Sequence, residues 1–352
     1  MSLRANTGSG GITLRDAIDL PARGDAFLIT LLHHVRSEPS PKGIHLHLDI
    51  SGDLPAIVGG AGQRALLARV GGLDRSPITK WKQRARAGNA AEYHSDCLPL
   101  RWASGGVLAV VAHRRVDHFA LSYRNIDPHG WNLYVGHAGG WDDLLDVERV
   151  LEREFREEAL IHNKADNVVY AFALSDQRFD ANAFQAEALA RWGLSECRSE
   201  ALACQVARGP DSVTVTAHRG NGQRVRHVSD GLFVVIDPVA LGIECMRIVR
   251  IPLPDALDLQ KDVIFLDGEL HGDGLLDSAI GLLDIKRCKQ WIAGGRQGDL
   301  PVAHIYQSGR HLSGGIADSK KIRDDWEHRN DFCPVTAEMI ARHWPAEPQG
   351  ST

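Results

Sequence analysis

Runs and alternations of apolar residues predict short strands in the first half of the chain. Residues 44–50 alternate in character, a period of two that is typical of a strand with one buried face. Apolar runs follow at residues 107–112, 118–123 and 131–135. From residue 105 onward the pattern therefore predicts three successive strands.

A four-residue repeat of apolar positions predicts a helix over residues 146–161. The stripe that we expect to be buried consists of Val147, Leu151, Phe155 and Ala159, with Val150 beside it. Asp142, Asp143 and Asp146 lie at the start of this helix, where the macrodipole favours negative charge. The pattern from residue 105 is therefore three strands followed by a helix.

Strands and helices are both predicted in the second half of the chain. We expect a strand over residues 168–174, an Ala-rich helix over 181–192 and a hairpin around residues 220–222, where Gly-Asn-Gly supplies the turn. Three further apolar runs, at residues 232–236, 246–251 and 263–266, follow. Residues from about Asp277 onward are predicted to be mainly helical.

These patterns divide the chain into four parts. Residues 1–25 carry few large apolar side chains, so we expect them to be flexible. Residues 26–100 are predicted to form an N-terminal α+β region, and residues 101–285 a central domain. Residues 286–352 are predicted to form a C-terminal, mainly helical region. The length of 352 residues is what about two domains would occupy.

Composition and charge exclude several classes of protein. Apolar residues make up 43% and charged residues 24%, which is ordinary for a globular protein and excludes a wholly disordered one. The formal net charge of −5 argues against a protein that coats nucleic acid. A basic stretch at residues 80–86 is a local candidate for phosphate or nucleic-acid contact, although a solvated helix face explains it equally well.

The chain also lacks the patterns of membrane and secreted proteins. No apolar run approaches the 18 residues that a spanning helix needs. The first residues contain no apolar signal segment, and the six cysteines are scattered without a Cys-x-x-Cys pair. We therefore expect reduced thiols, no membrane partner and a cytoplasmic location.

One stretch of the predicted helix carries a candidate metal site. Glu154, Glu157 and Glu158 lie at positions i, i+3 and i+4, so they share one helix face. Unneutralised, three carboxylates so close together repel one another, and hard oxygen ligands of this kind suit Mg²⁺ or Mn²⁺. The alternative is a solvated face of salt bridges, since arginines alternate with these glutamates.

This stretch resembles the signature helix of the Nudix hydrolases, whose motif runs G-x5-E-x7-R-E-U-x-E-E-x-G-U, with U a bulky aliphatic residue. Gly139 precedes Arg153 by the motif's spacing of fourteen residues. The positions that match are Gly139, Arg153, Glu154, Glu157 and Glu158, with Phe155 and Ile161 in bulky positions. Leu145 replaces the motif's first glutamate, and Leu160 replaces its final glycine.

The resemblance implies a fold, a cofactor and a reaction. The fold would be a Nudix-type α/β/α sandwich with a mixed sheet, within residues 101–285. Glu154, Glu157 and Glu158 would ligate Mg²⁺ (or Mn²⁺), with the backbone at Gly139 completing the metal site and Arg153 orienting the glutamates. The implied reaction is metal-assisted attack of water on the pyrophosphate bond of a nucleoside diphosphate. The diphosphate is linked to another moiety, such as a sugar, a ribose or a second nucleotide.

Further residues are candidates for the same site. Glu269, which follows an apolar strand, is our first candidate for a general base or an additional ligand, and Glu244 is the second; either is equally explained as a solvated carboxylate. His137, Trp131 and Trp141 flank the proposed site and are candidates for substrate binding, with core packing as the alternative for the tryptophans.

Two other functions stay open at this stage. The departures at Leu145 and Leu160 are compatible with a non-catalytic Nudix-like domain that senses a nucleotide. The same acidic cluster would also suit another reaction, such as isomerisation of a diphosphate ester. For the hydrolase and the sensor the expected partner is a small nucleoside diphosphate derivative, and the flanking regions are candidates for a lid, a homodimer surface or a specificity pocket.

Overall fold

The computed structural model describes residues 32–33, 45–51, 101–125, 129–137, 146–174, 186, 188–218, 224–237, 242–268 and 279–343. All structural statements below concern these residues. The segment 1–25 that we expect to be flexible, the basic stretch at 80–86 and most of the N-terminal region lie outside them.

Most of the described residues belong to strands. In chain order these are β1 (Leu32–His33), β2 (His45–Ser51), β3 (Arg101–His113), β4 (Val116–Arg124), β5 (Gly130–Asn132), β6 (Tyr134–His137), β7 (Ala159–Asn163), β8 (Val168–Ala173), β9 (Arg198–Ala203), β10 (Gln205–Ala207), β11 (Asp211–His218), β12 (Arg224–Asp237), β13 (Gly242–Pro252), β14 (Val263–Asp267), β15 (Ala279–Asp284), β16 (Val302–Gln307) and β17 (Arg310–His311).

Helices are fewer and shorter. The α-helices are α1 (Val147–Glu158), α2 (Ile285–Ala293), α3 (Lys320–Asp324) and α4 (Pro334–His343), and the 3-10 turns are η1 (Gly315–Asp318) and η2 (Trp326–His328). Within the described ranges, no helix combines the length and apolar character that crossing a membrane requires. The fold is a mixed α/β fold, as predicted.

The chain forms two compact units, each discontinuous in sequence. The first contains Met1–Gly105, His137–Val150 and Arg208–Met246. The second contains the remaining stretches, Gly106–Gly136, Leu151–Ala207 and Arg247–Thr352. The sequence-based division used continuous segments instead. Its boundary between residues 285 and 286 separates β15 from β16, although these two strands pair with each other.

Antiparallel strands make up most of the described part of the first unit, which also contains the first turn of α1. Their order is β1, β2, β11, β12 and the first residues of β13. His218 lies opposite Arg224 at the end of the β11–β12 ladder, which confirms the predicted hairpin. Asp211 strengthens this ladder from within, since its buried carboxylate accepts a 2.8 Å hydrogen bond from the amide of Val234.

Two sheets meet around one core in the second unit. One sheet runs β3, β4, β15, β16 and β17, with the end of β13 beside β3, and the other runs β14, β7, β8 and β9. The β8–β9 pair is parallel and the other pairs of the second sheet are antiparallel, so that sheet is mixed. Buried side chains of both sheets, among them Val107, Phe172, Phe265, Ile280 and Tyr306, form a single cluster with Phe155 of α1.

Three sequence-based boundaries are corrected by tertiary pairing. The helix predicted to reach Ile161 ends at Glu158, because Ala159–Asn163 pairs with β14. The strand predicted over residues 131–135 is divided at Leu133, whose amide donates to Oγ1 of Thr336 instead of to a neighbouring strand. The C-terminal region predicted to be helical from about Asp277 begins with β15, which pairs with β4.

Histidines gather on β4, β16 and β17. The rings of His118 and His304 lie 6.1 Å apart, and Nδ1 of His304 lies 3.2 Å from Nε2 of His311. Burial lowers the pKa of all three side chains. For His304, burial and the neighbouring His311 and His118 lower the pKa to about 4. The folded protein therefore holds these rings neutral at pH 7.

This cluster makes the free energy of unfolding depend on pH. In the unfolded chain His304 returns to a pKa near 6.5, so between about pH 4 and 6.5 the unfolded state binds more protons than the folded state. The contribution of His304 to the free energy of unfolding is therefore most favourable above about pH 6.5, and the free energy of unfolding decreases as the pH falls toward 4. We expect His304→Gln to flatten this part of the pH profile, measured by urea unfolding at several pH values. Equal slopes for the two proteins would contradict the assignment to His304.

Candidate functional site

Helix α1 begins at a defined cap. Oδ1 of Asp146 accepts a 3.2 Å hydrogen bond from the amide of Arg149, which is the geometry of an N-cap. The same oxygen lies 3.2 Å from Nε2 of His227 on β12. Asp146, the acidic residue predicted at the start of the helix, therefore provides a hydrogen-bond acceptor for a backbone amide of the first helical turn.

The C-terminal half of α1 brings the three predicted glutamates together. Glu154 is buried, whereas Glu157 and Glu158 are half-buried. Arg153 forms an ion pair with Glu154, and its Nη1 lies 3.3 Å from Oε2 of Glu157. One guanidinium thus bridges two of the three carboxylates, and the orienting role expected for Arg153 stays a prediction.

Burial of α1 extends well beyond its apolar stripe. Val147, Val150, Leu151 and Phe155 are buried as predicted, and the ring of Phe155 stacks on Phe172 at 4.8 Å. The remaining buried side chains of α1 are Glu148, Glu152, Glu154 and Arg156. Polar as well as apolar side chains of α1 are therefore removed from solvent.

Arginines offset only part of the negative charge on α1. Arg156 is 2% exposed, and its Nη2 donates a 3.2 Å hydrogen bond to the carbonyl of Phe172 on β8. The helix holds five glutamates and three arginines, a formal charge of −2. The two half-buried glutamates, Glu157 and Glu158, contribute to this excess negative charge.

Strand β14 ends beside the acidic end of α1. Because β7 follows the helix directly and pairs with β14, Asp267 lies opposite Ala159. The amide of Gly268 donates a 2.8 Å hydrogen bond to the carbonyl of Glu158. A side chain at position 268 would overlap the backbone oxygen of Glu157, so only glycine permits this approach.

Asp267 adds another carboxylate to this end of the helix. It is 4% exposed, and burial together with the nearby charges of Asp267 and Glu158 raises the pKa of the fully buried Tyr134. Sequence reasoning placed Asp267 in the segment of Glu269 but assigned it no role. Its signal in the sequence is an acidic residue directly at the end of an apolar strand.

A basic side chain also reaches this segment. Nη1 of Arg191 donates a 3.0 Å hydrogen bond to the carbonyl of Gly268, and Nε1 of Trp192 donates a 2.8 Å hydrogen bond to the carbonyl of Asp267. Both bonds hold the end of β14 in place beside α1. Arg191 is exposed, so its guanidinium also faces solvent.

The other predicted site residues divide into three groups. Gly139, Trp141 and Glu269 lie outside the described residues, although Glu269 directly follows Gly268. His137 ends β6, and Glu244 lies on β13 opposite Val235. Trp131 is completely buried, its Nε1 donates to the carbonyl of Arg329, and its ring packs against Tyr123. A nucleobase has no surface of Trp131 to stack on, so its predicted contact with substrate is wrong.

Comparisons with family models, with curated proteins and with solved structures find no significant match for this chain. The family resemblance of α1 therefore rests on its own residues. The site therefore consists of a largely buried acidic helix with Arg153 bridging two of its glutamates. Its last two glutamates are half-buried, and its end lies beside the strand that carries the buried Asp267.

Sequence reasoning missed a second cluster of ligand-type side chains. Among the described residues, His129, Asp325 and His328 place a potential metal-ligating atom from each within 4.8 Å of the others. Asp325 and His328 have a recognisable i, i+3 spacing in the sequence. His129 is about 200 residues away, so only the folded chain reveals the group.

Arg153 is expected to stabilise the fold through its charge. In Arg153→Gln the buried Glu154 loses its ion pair, so the free energy of unfolding at pH 7 falls by about 1–3 kcal/mol. Urea denaturation measures this change. The matched control is Arg198→Gln. It removes an exposed ion pair in which Nη2 of Arg198 lies 3.9 Å from Oε2 of Glu200, and it should lower the free energy of unfolding by less than about 0.5 kcal/mol.

A second substitution tests the cause. Adding Glu154→Gln to Arg153→Gln removes both charges of this ion pair, so we expect part of the lost stability to return. Additive losses in the double variant would show that the two side chains act independently.

Proposed function

We propose that this protein is a Mg²⁺-dependent pyrophosphohydrolase of the Nudix type, with an α/β/α sandwich around α1. Its substrate would be a nucleoside diphosphate linked to another moiety, such as a sugar, a ribose or a second nucleotide. The observation that carries the proposal is the set of Glu154, Glu157 and Glu158 on one end of α1, with Arg153 bridging two of them.

The donor set fits Mg²⁺. Every candidate ligand at this end of α1 is a carboxylate oxygen, the hard donor that Mg²⁺ prefers. The helix carries an excess of two negative charges, and the buried Asp267 adds another close by. A divalent cation would offset this repulsion, and Mg²⁺ commonly takes only one or two carboxylates while keeping several waters.

Each residue then has a distinct part in the reaction. Glu157 and Glu158, the half-buried pair, would hold the metal together with Glu154, and Arg153 would orient Glu154 and Glu157. Arg191 offers a positive charge to a phosphate near Gly268. Glu269, the next residue along the chain, is the proposed general base. When bound, Mg²⁺ neutralises the pyrophosphate and lowers the pKa of a coordinated water.

A nucleotide-sensing domain without turnover is the second candidate. The observation that favours it is the burial of Glu154, which already forms an ion pair with Arg153. A carboxylate engaged in this way contributes less to a metal site. Such a protein would bind the nucleotide and Mg²⁺ through Glu157 and Glu158 alone.

Hydrolysis and its dependence on Glu157 separate the two candidates. The full chain is incubated with Mg²⁺ and a panel of nucleoside diphosphate derivatives, and phosphate-bearing products are quantified by chromatography. We expect Glu157→Gln to lower kcat/KM by about 100-fold or more, because a lost metal ligand removes several kcal/mol of transition-state stabilisation.

The matched control is Glu200→Gln, which changes an exposed glutamate on β9 and is expected to leave the rate unchanged. Ligand-dependent thermal stabilisation without any product would favour the sensor. Absence of both product and stabilisation across the panel would reject both candidates.

A further inference from the structure

Two histidines and an aspartate converge in the second unit, on elements that share no residue with α1. His129 precedes β5, Asp325 precedes η2, and His328 ends η2. Nε2 of His129 lies 3.8 Å from Oδ1 of Asp325, and the rings of His129 and His328 stack with centroids 4.5 Å apart. We propose that these three side chains form a binding site for a divalent transition metal of the Zn²⁺ class.

The ligand types select the metal. Two imidazole nitrogens with one carboxylate oxygen suit Zn²⁺ and similar ions, whereas Mg²⁺ takes oxygen ligands. Two ligand atoms on a tetrahedral Zn²⁺ lie about 3.3 Å apart, given metal–ligand distances near 2.0 Å. The ligand atoms of the cluster are all within 4.8 Å of one another, so small side-chain rotations would bring them onto one ion.

Neighbouring groups orient two of the proposed ligands. Nδ1 of His328 lies 2.9 Å from Oδ2 of Asp331, and because a carboxylate can only accept, this nitrogen carries the proton. When the ring binds a metal, Nε2 is then the nitrogen that supplies the lone pair. The hydroxyl of Tyr123 donates a 2.9 Å hydrogen bond to Oδ2 of Asp325, which directs Oδ1 toward His129. Outer groups of this kind are typical of protein metal sites.

The backbone holds the three ligands in register. Asp325 and His328 are three residues apart across η2, and side chains at this spacing lie above one another in a 3-10 turn. The amide of Trp131 donates to the carbonyl of Asp331, and the amide of Cys333 donates to the carbonyl of Trp131. These two bonds join the segment that follows His129 to the segment that follows His328.

Solvent reaches one side of the cluster. The side chains of His129 and His328 are 30% and 25% exposed. Oε1 of the exposed Glu327 lies 3.4 Å from Nε2 of His328. A bound ion would therefore complete its coordination with water or with Glu327, and it would tie the β4–β5 connection to the C-terminal segment.

Titration of the chelator-treated full chain with ZnCl₂ tests the site. We expect one Zn²⁺ per chain at this cluster and a rise in the melting temperature, because the ion binds the folded state. His129→Gln and His328→Gln should each weaken binding by about 100-fold, as measured by calorimetry. Millimolar Mg²⁺ should not displace the Zn²⁺.

The matched control is His311→Gln. His311 also forms a close histidine pair, with Nε2 3.2 Å from Nδ1 of His304, but among the described residues no third ligand-type side chain completes a metal-binding group with this pair. This variant should bind Zn²⁺ as the parent protein does. Loss of binding in His311→Gln, or unchanged binding in both His129→Gln and His328→Gln, would overturn the assignment.

X-ray absorption of the wild-type Zn²⁺ complex decides the question even where a variant fails to fold. Two imidazole ligands with oxygen ligands would support the site, whereas thiolate ligation would overturn it. An acidic-helix variant, Glu157→Gln, should retain Zn²⁺ binding, so the outcome is independent of the proposed hydrolase activity.

Discussion

Burial of charge on α1 is the constraint on which the proposed function depends. A carboxylate removed from water is costly unless a positive charge or hydrogen-bond donors compensate it. Arg153 supplies such compensation for Glu154, and it also contacts Glu157. Phe155 lies between Glu154 and Glu157 in sequence and packs on Phe172. The apolar and ionic contacts therefore fix the same turn of the helix.

Strand pairing then determines which groups meet the acidic end of this helix. Because β7 starts immediately after Glu158, its pairing with β14 places Asp267 and Gly268 beside the last helical turn. Only glycine allows the backbone at position 268 to approach Glu157 so closely. The carboxylates of Asp267 and Glu158, which both act on Tyr134, are thus brought to the same end of the helix by sheet register.

The second unit contains two groups of potential ligands with different chemistry. The end of α1 offers carboxylate oxygens, while His129, Asp325 and His328 offer two nitrogens and one oxygen. Hard and borderline cations discriminate between such donor sets. The two groups therefore need not compete for the same ion, and one can be altered while the other is kept.

The sequence by itself determined features that depend on local pattern. The β11–β12 hairpin, the buried stripe of α1 and the shared face of its glutamates all follow from periods of two and 3.6 residues and from a Gly-Asn-Gly turn. Only tertiary structure decided where α1 ends, that Trp131 is in the core, that Arg156 is buried, and that His129 meets His328. Local propensity covers a few residues, whereas these outcomes depend on partners far along the chain, such as β14 for Ala159 and the carbonyl of Arg329 for Trp131. Residues distant in sequence become neighbours through sheet register, which no local pattern records.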